Sequence, residues 1–238
     1  MTGLGSQLHV VACAHGTDNV SGRELIDGLR ADVASALAAR GLRAQLHEAY
    51  VDVQEPALDH IVAALPPGEP AVVVPLLLST GFHTSVDIRQ AVDSRPETRA
   101  ARAIGPDHRL AEALARRLAD VGLGEGDRVV VASAGTRVEE GLKEVRQVAE
   151  WLAVEAGRPV TVGFGAAAEP SVQAAVAAAR SEPGCRRVLV AAYLLAPGYF
   201  HSQLAKAGAD AVAAPLLPDP AVAECVVERL LEALNMTP

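Results

Sequence analysis

The segment Val11-Ala12-Cys13-Ala14-His15-Gly16-Thr17 returns later in the chain as Val130-Val131-Ala132-Ser133-Ala134-Gly135-Thr136. Two further pairs repeat at similar spacing. Glu55-Pro56 matches Glu169-Pro170, and Leu77-Leu78-Ser79-Thr80-Gly81 matches Leu194-Leu195-Ala196-Pro197-Gly198. Offsets of roughly 115–120 residues describe a tandem duplication. Within each copy, apolar strand-like runs alternate with stretches of helical periodicity, which predicts parallel sheets covered by helices. Strands are expected at 8–15, 43–51, 71–78 and 100–104, then at 128–134, 159–166, 187–195 and 211–216. Helices are expected at 22–40, 56–65, 85–93 and 107–121, then at 137–156, 170–182, 199–207 and 219–234. The fold expected is α/β, with two similar domains (1–122 and 123–238). Each is a four-stranded parallel sheet flanked by helices, and the two face each other across a cleft. The linker falls in the glycine-rich, charged stretch Val121-Gly122-Leu123-Gly124-Glu125-Gly126-Asp127.

Half of the 238 residues are hydrophobic but only 3% are aromatic, as suits helices packed on a Val/Leu-rich sheet. The formal net charge of −8 argues against a general nucleic-acid or membrane-surface binder. No apolar stretch approaches the length of about 18 residues that crosses a bilayer, and no signal peptide is visible. Cys13, Cys185 and Cys225 are odd in number and lack CxxC spacing. They are expected as buried thiols in a reducing cytoplasm, not as a thiolate metal site.

His15, Asp52 and His83 follow three successive strand candidates of the first copy. In parallel neighbouring strands their carboxyl ends share one sheet edge, the edge where open α/β sheets bind ligands. Two imidazoles and a carboxylate converging there suit a borderline divalent transition metal. Each residue alone has an ordinary explanation: a satisfied core histidine, a helix-cap neighbour, a turn acid. Their joint occurrence at equivalent strand ends is more specific. Glu48 competes with Asp52 as the acidic ligand, and Asp52 is preferred for its place beyond the strand end. In the second copy the same positions hold Ala134, Ala166 and Phe200, so one copy is expected to be active and the other kept for shape. His201 stands one place past the His83 equivalent and is not expected to be a ligand.

Other chemistries fit less well. Gly163-Phe164-Gly165-Ala166-Ala167-Ala168 follows a strand and fits a GxGxxA dinucleotide pattern, but the matching first-copy segment has no glycines and the next helix waits until Pro170. A histidine phosphatase would need an arginine beside His15 to hold phosphate, and the preceding residue is Ala14. No GxSxG elbow marks a hydrolase.

Three segments carry a resemblance to a known family: Ala14-His15-Gly16-Thr17, Ala49-Tyr50-Val51-Asp52-Val53-Gln54-Glu55-Pro56, and the longest, Val74-Pro75-Leu76-Leu77-Leu78-Ser79-Thr80-Gly81-Phe82-His83-Thr84-Ser85-Val86-Asp87-Ile88. Over nearly its whole length the chain resembles the class II tetrapyrrole chelatases in their two-copy form, the group containing sirohydrochlorin cobalt- and ferrochelatases. The family usually has histidine at His15 and His83, and often glutamate where this chain has Asp52. The resemblance implies insertion of a divalent metal into a tetrapyrrole without ATP. Iron for siroheme is favoured, with cobalt for cobalamin next. The metal is then substrate, and no organic cofactor is expected. His15 and His83 would be catalytic, with Asp52 balancing charge or orienting an imidazole. Arg23, Arg89 and Arg137 would meet the substrate carboxylates, and Tyr199 and Phe200 would face the macrocycle. The protein is expected in the cytoplasm as a monomer or homodimer, with no nucleic-acid or membrane partner. The alternative is a non-catalytic carrier or sensor of divalent metal using the same ligands.

Overall fold

The computed structural model describes residues 7–235. Two four-stranded parallel sheets are present, each flanked by helices. The first contains β1 (Leu8–Ala14), β2 (Ala44–Tyr50), β3 (Ala71–Pro75) and β4 (Thr98–Ala100), in the order β2-β1-β3-β4. The second repeats that order as β6-β5-β7-β8, from β5 (Asp127–Ser133), β6 (Val160–Phe164), β7 (Arg187–Tyr193) and β8 (Ala211–Val212). The helices are α1 (Val20–Ala39), α2 (Leu58–Ala64), α3 (Ile88–Asp93), α4 (His108–Asp120), α5 (Glu139–Ala156), α6 (Val172–Ser181), α7 (Tyr199–Leu204) and α8 (Pro220–Asn235).

The middles of the central strands are continuous apolar runs, with the polar His9, Asp127, Arg128 and Arg187 near their amino ends, because both faces are covered. Alternation then sends side chains two ways. Val10, Ala12, Ala14, Val72, Val74 and Leu76 enter a large inner core, whereas Val11, Cys13, Val73 and Ala71 pack outward with α2 and α3 residues such as Leu58, Val62 and Ile88. The second sheet divides in the same way. Val129, Val131, Leu189 and Tyr193 join the inner core, and Val130, Ala132, Val188 and Val190 pack outward with residues of α6 and α7.

The inner core belongs to both halves. α1 shows Ile26, Leu29, Val33 and Leu37 on its buried face, and Asn19 caps its first turn by accepting from Gly22 N. Its neighbour on the first sheet is α8, the last helix of the second copy, which also packs on β3. α4, the last helix of the first copy, packs instead on α5 and β7. A segment drawn from 1 to 122 thus includes a helix whose buried face lies in the other half. Arginines fix the exchange. Arg229 of α8 is 2% exposed; it donates to Ile104 O and Asp107 Oδ2 just ahead of α4. Arg117 of α4 donates to the carbonyls of Pro215, Leu216 and Pro218 ahead of α8.

The two outermost strands differ from expectation. The segment expected at 100–104 pairs earlier, at Thr98–Ala100, and β8 is shorter than 211–216. In both places the chain continues beside its neighbour through isolated bonds, Ala101 N to Val73 O and Ile104 N to Leu77 O, then Ala213 N to Val190 O and Leu216 N to Leu194 O. The apolar signal there reflects burial in the core, not an unbroken ladder. No helix among the described residues is long and apolar enough to cross a membrane.

Candidate metal centre

His15 leaves β1 directly into Gly16, whose φ of 97° lies in the left-handed region. A side chain there would also collide, since a Cβ on Gly16 would lie 2.4 Å from Asp52 O. Glycine therefore allows the β1 and β2 loops to touch, and Asp52 N donates to His15 O at 3.1 Å. Beyond Asp52 the chain turns back sharply: Gln54 N reaches Asp52 O at 2.6 Å, and Val53 sits at φ 59°. A β-branched residue there is strained, the kind of strain that clusters at functional sites. The Gln54 side chain accepts from Thr17 N at 2.8 Å, tying this turn back to the β1 loop.

His83 opens a π-helical turn, His83–Asp87, which runs into α3. The helix expected from residue 85 thus begins two residues earlier and includes the histidine. The turn brings Asp87 onto the same side, and His83 Nδ1 meets Asp87 Oδ2 at 2.6 Å. A carboxylate can only accept, so the neutral ring carries its proton on Nδ1 and keeps the Nε2 lone pair for a metal. His15 has a weaker version of this contact, Nδ1 to Gly16 O at 3.3 Å. The two imidazoles stand edge to face, with centroids 4.8 Å apart.

His15, Asp52 and His83 each offer a ligand atom, and all three atoms lie within 4.8 Å of one another. Bonds of about 2.1 Å to a central cation at tetrahedral angles place ligand atoms about 3.4 Å apart, so side-chain shifts on the order of an ångström bring the trio onto one ion. Glu48 is engaged elsewhere: it accepts from Tyr50 OH at 2.5 Å and lies 3.8 Å from Arg30. Burial raises the Cys13 and Cys225 thiols to about 12, which keeps both as inert neutral groups.

The second half has the same backbone without the ligands. Ala166 N donates to Ala134 O as Asp52 N does to His15 O, Ala167 repeats the positive φ of Val53, and Gly135 repeats that of Gly16. Phe200 occupies the His83 position, with its ring against Gly165, where a Cβ would meet Cδ1 at 3.0 Å. His201 has a buried Nε2 with no hydrogen-bond partner among the described residues, and it joins no ligand cluster there.

The mouth of the site is apolar. Tyr199 is 73% exposed and Phe82, its counterpart in the first half, 62%. Val20, Val53 and Val86 are exposed around the same loops. The expected arginines are dispersed. Arg23 stands at the lip, donating to Thr17 O at 2.7 Å and to Asp18. Arg137 is exposed on the β5–α5 loop with no partner among the described residues. Arg89 lies 3.9 Å from Asp93 in a shallow depression lined also by Ser85, Val86, Gln90 and Ser94. Phe82 and Asp87 escaped sequence reasoning. The four-residue step from His83 to Asp87 was the available signal for the second, since residues so spaced share a helix face.

Comparisons with known proteins agree with this architecture. No match is found among curated protein sequences. Among solved structures, the chain is similar to SirB from Bacillus subtilis with Fe3+ (TM-score 0.76, 19% identity, 96% of each chain covered). It is also similar to the sirohydrochlorin chelatase SirB from Bacillus subtilis subspecies spizizenii in complex with cobalt (TM-score 0.71, 17% identity, 97% of each covered). A third similar structure is CbiX, described as the terminal enzyme for biosynthesis of siroheme in denitrifying bacteria (TM-score 0.67, 23% identity, 96% of this chain and 100% of that one). At these identities the structures establish the shared two-sheet fold. The CbiX family model matches residues 9–121 and again 128–233, so the duplicated chain belongs to the CbiX family.

Proposed function

We propose that this protein is a sirohydrochlorin chelatase that inserts a divalent cation, Fe2+ ahead of Co2+, into the tetrapyrrole without ATP. The observation that carries the reading is the convergence of His15, Asp52 and His83 within 4.8 Å at one sheet edge, beneath an apolar mouth. The first copy supplies the metal-binding half, and the second supplies the opposite wall.

Insertion must exchange the ligands of the cation and remove two pyrrole protons. Imidazoles suit a cation that has to leave again, because they bind iron and cobalt less tenaciously than thiolates do. Asp52 offsets part of the positive charge. Phe82 and Tyr199 offer ring faces to the macrocycle, and Arg23 and Arg137 offer charge to its carboxylates. As each metal–imidazole bond breaks and a metal–pyrrole bond forms, the freed Nε2 lone pair accepts the pyrrole proton. Asp87 supports this step at His83 by holding the proton already on Nδ1. No phosphoanhydride enters this balance, which is why ATP is not required.

The test is to mix protein, Fe2+ or Co2+ and sirohydrochlorin under anaerobic conditions and follow the tetrapyrrole absorbance. The wild-type protein should accelerate the spectral change, and His15→Ala and His83→Ala should each slow it by roughly 10²-fold or more while melting normally. Wild-type rates in both variants would overturn the assignment. Tight metal binding with no acceleration would point to a carrier or sensor.

A further inference from the structure

The loop that presents His83 is held mostly by the half of the protein that has lost its ligands. Glu144, on α5, accepts from Thr80 N at 2.6 Å and from Thr80 Oγ1 at 2.8 Å. One turn earlier on α5, Gly141 makes room for the Thr80 carbonyl; a Cβ there would lie 1.9 Å from Thr80 O. Tyr193, at the end of β7 and buried, donates to Leu78 O at 3.0 Å. Hydrogen bonds then run along the chain to the histidine. Gly81 N donates to Thr84 Oγ1, and Ser85 N donates to Gly81 O, closing the turn that contains His83.

The reciprocal contact lacks these polar ties. Gly22 of α1 meets Pro197 O as Gly141 meets Thr80 O, so the close approach is common to both sides. Leu25 stands at the position of Glu144, Pro197 at that of Thr80, and Leu76 at that of Tyr193. Proline has neither an N–H nor a hydroxyl to offer. Steric fit alone therefore serves the side with Phe200, whereas the side with His83 adds a carboxylate bearing two hydrogen bonds and a phenol bearing one.

We propose that Glu144, assisted by Tyr193, is a positioning residue for metal transfer: from the second half it fixes the loop that aims His83 at the cation. This rests on the reading of His83 as a metal ligand. A free loop would sample orientations in which the imidazole misses the cation, and outer partners of ligands commonly change metal affinity by about 10–100-fold. Glu144 touches no reacting atom.

The experiment uses the full chain and Co2+ alone, titrated while the visible absorption of the bound ion is recorded, with metal KM and kcat for insertion measured in parallel. Glu144→Ala should weaken Co2+ binding roughly 10–100-fold, shift the visible band and raise metal KM more than it lowers kcat. Glu144→Gln keeps an acceptor for Thr80 N and should recover most of the loss, and Tyr193→Phe should give a smaller loss. Leu25→Ala, the matched change on the other side, should lower the melting temperature while leaving Co2+ affinity and spectrum unchanged. If Glu144→Ala does not fold, Thr80→Val, which removes the Thr80 Oγ1 bond to Glu144, serves instead and is expected to weaken binding several-fold with a spectral shift. Wild-type affinity and spectrum in folded Glu144→Ala, or in Thr80→Val where it stands in for it, would overturn the inference. His83→Ala, run alongside, separates the two failures: intact Co2+ binding in that variant would reject the metal reading itself, whereas its loss beside an unaffected Glu144→Ala would reject only the positioning role.

Discussion

The carboxyl ends of β1 to β3 and of β5 to β7 are one backbone design with two chemical outcomes. Both have a left-handed glycine after the first strand (Gly16, Gly135), a strained turn after the second (Val53, Ala167) and an aromatic residue at the mouth (Phe82, Tyr199). Only the first adds His15, Asp52 and His83, where the second has Ala134, Ala166 and Phe200. The backbone features thus belong to the fold, and the metal chemistry we propose would reside in three side chains placed on it. The second copy also touches the first copy's β3–α3 loop, through Glu144, Gly141 and Tyr193.

The sharpest way to test that contrast is to convert the first site into the second. The combined change His15→Ala, Asp52→Ala and His83→Phe should lower cobalt affinity by roughly 10³-fold or more, because it removes the whole donor set; titration calorimetry would measure it. Retained micromolar binding would mean that the cation sits elsewhere.

The exchanged helices offer the next contrast. Arg229 is buried and engages Ile104, Pro106, Asp107 and Glu232, whereas Arg117 makes a similar staple nearer to solvent. Asp107 feels burial pushing its carboxyl up, but bonds from Arg109 and the charges of Arg109 and Arg229 hold it well below the usual range. Arg229→Ala should cost about 3 kcal/mol in urea unfolding, since it empties the space of a buried side chain and removes its donors from the Ile104 carbonyl and half-buried Asp107. Arg117→Ala should cost about 1 kcal/mol. Equal costs would show that burial does not distinguish the two staples.

Gly141→Ala and Gly22→Ala insert a methyl at equivalent close contacts, 1.9 Å from Thr80 O and 2.3 Å from Pro197 O. Each should destabilise the fold by about 1–3 kcal/mol through overpacking. Only Gly141→Ala should also weaken cobalt binding, because only its contact bears on the loop of His83. Matched cobalt affinities in the two variants would contradict that division of labour.

The smallest effect concerns the amino ends of the strands. There His9 Nδ1 and His47 Nε2 meet at 2.8 Å, and His9 Nε2 meets Glu69 at 2.5 Å; the second half has Arg128 paired with Glu182. Burial, then the neighbouring His9, holds the His47 imidazole below its ordinary value. The unfolded chain consequently takes up more protons than the folded one as pH falls through about 6.5, so stability should decline there. His47→Thr, which copies Thr161 of β6, should flatten that slope in melting curves recorded between about pH 7.5 and 5.5. An unchanged slope would place the acid sensitivity elsewhere.

The duplication, the order of strands and helices, and the meeting of His15, Asp52 and His83 were all legible in the sequence, for one physical reason. Parallel neighbouring strands bring their carboxyl ends to one edge, so matching positions along the chain become neighbours in space. Position relative to a strand end also favoured Asp52 over Glu48, and only Asp52 joins the cluster. Three features were hidden. The apolar stripes of α4 and α8 declare burial but not the partner, so their exchange could not be read. The π turn that places Asp87 under His83 has no periodicity of its own. Glu144 looked like an ordinary surface acid of a helix, because its value depends on a loop 64 residues earlier in the chain.

The trading of α4 and α8 has a mechanical consequence. Neither lobe can swing away from the other as a rigid shell, because such a swing would pull a helix out of its seat and expose apolar side chains shared by both. Any widening of the entrance that spared this shared core would have to come from its rim, at the exposed stretches bearing Phe82, Val53 and Tyr199.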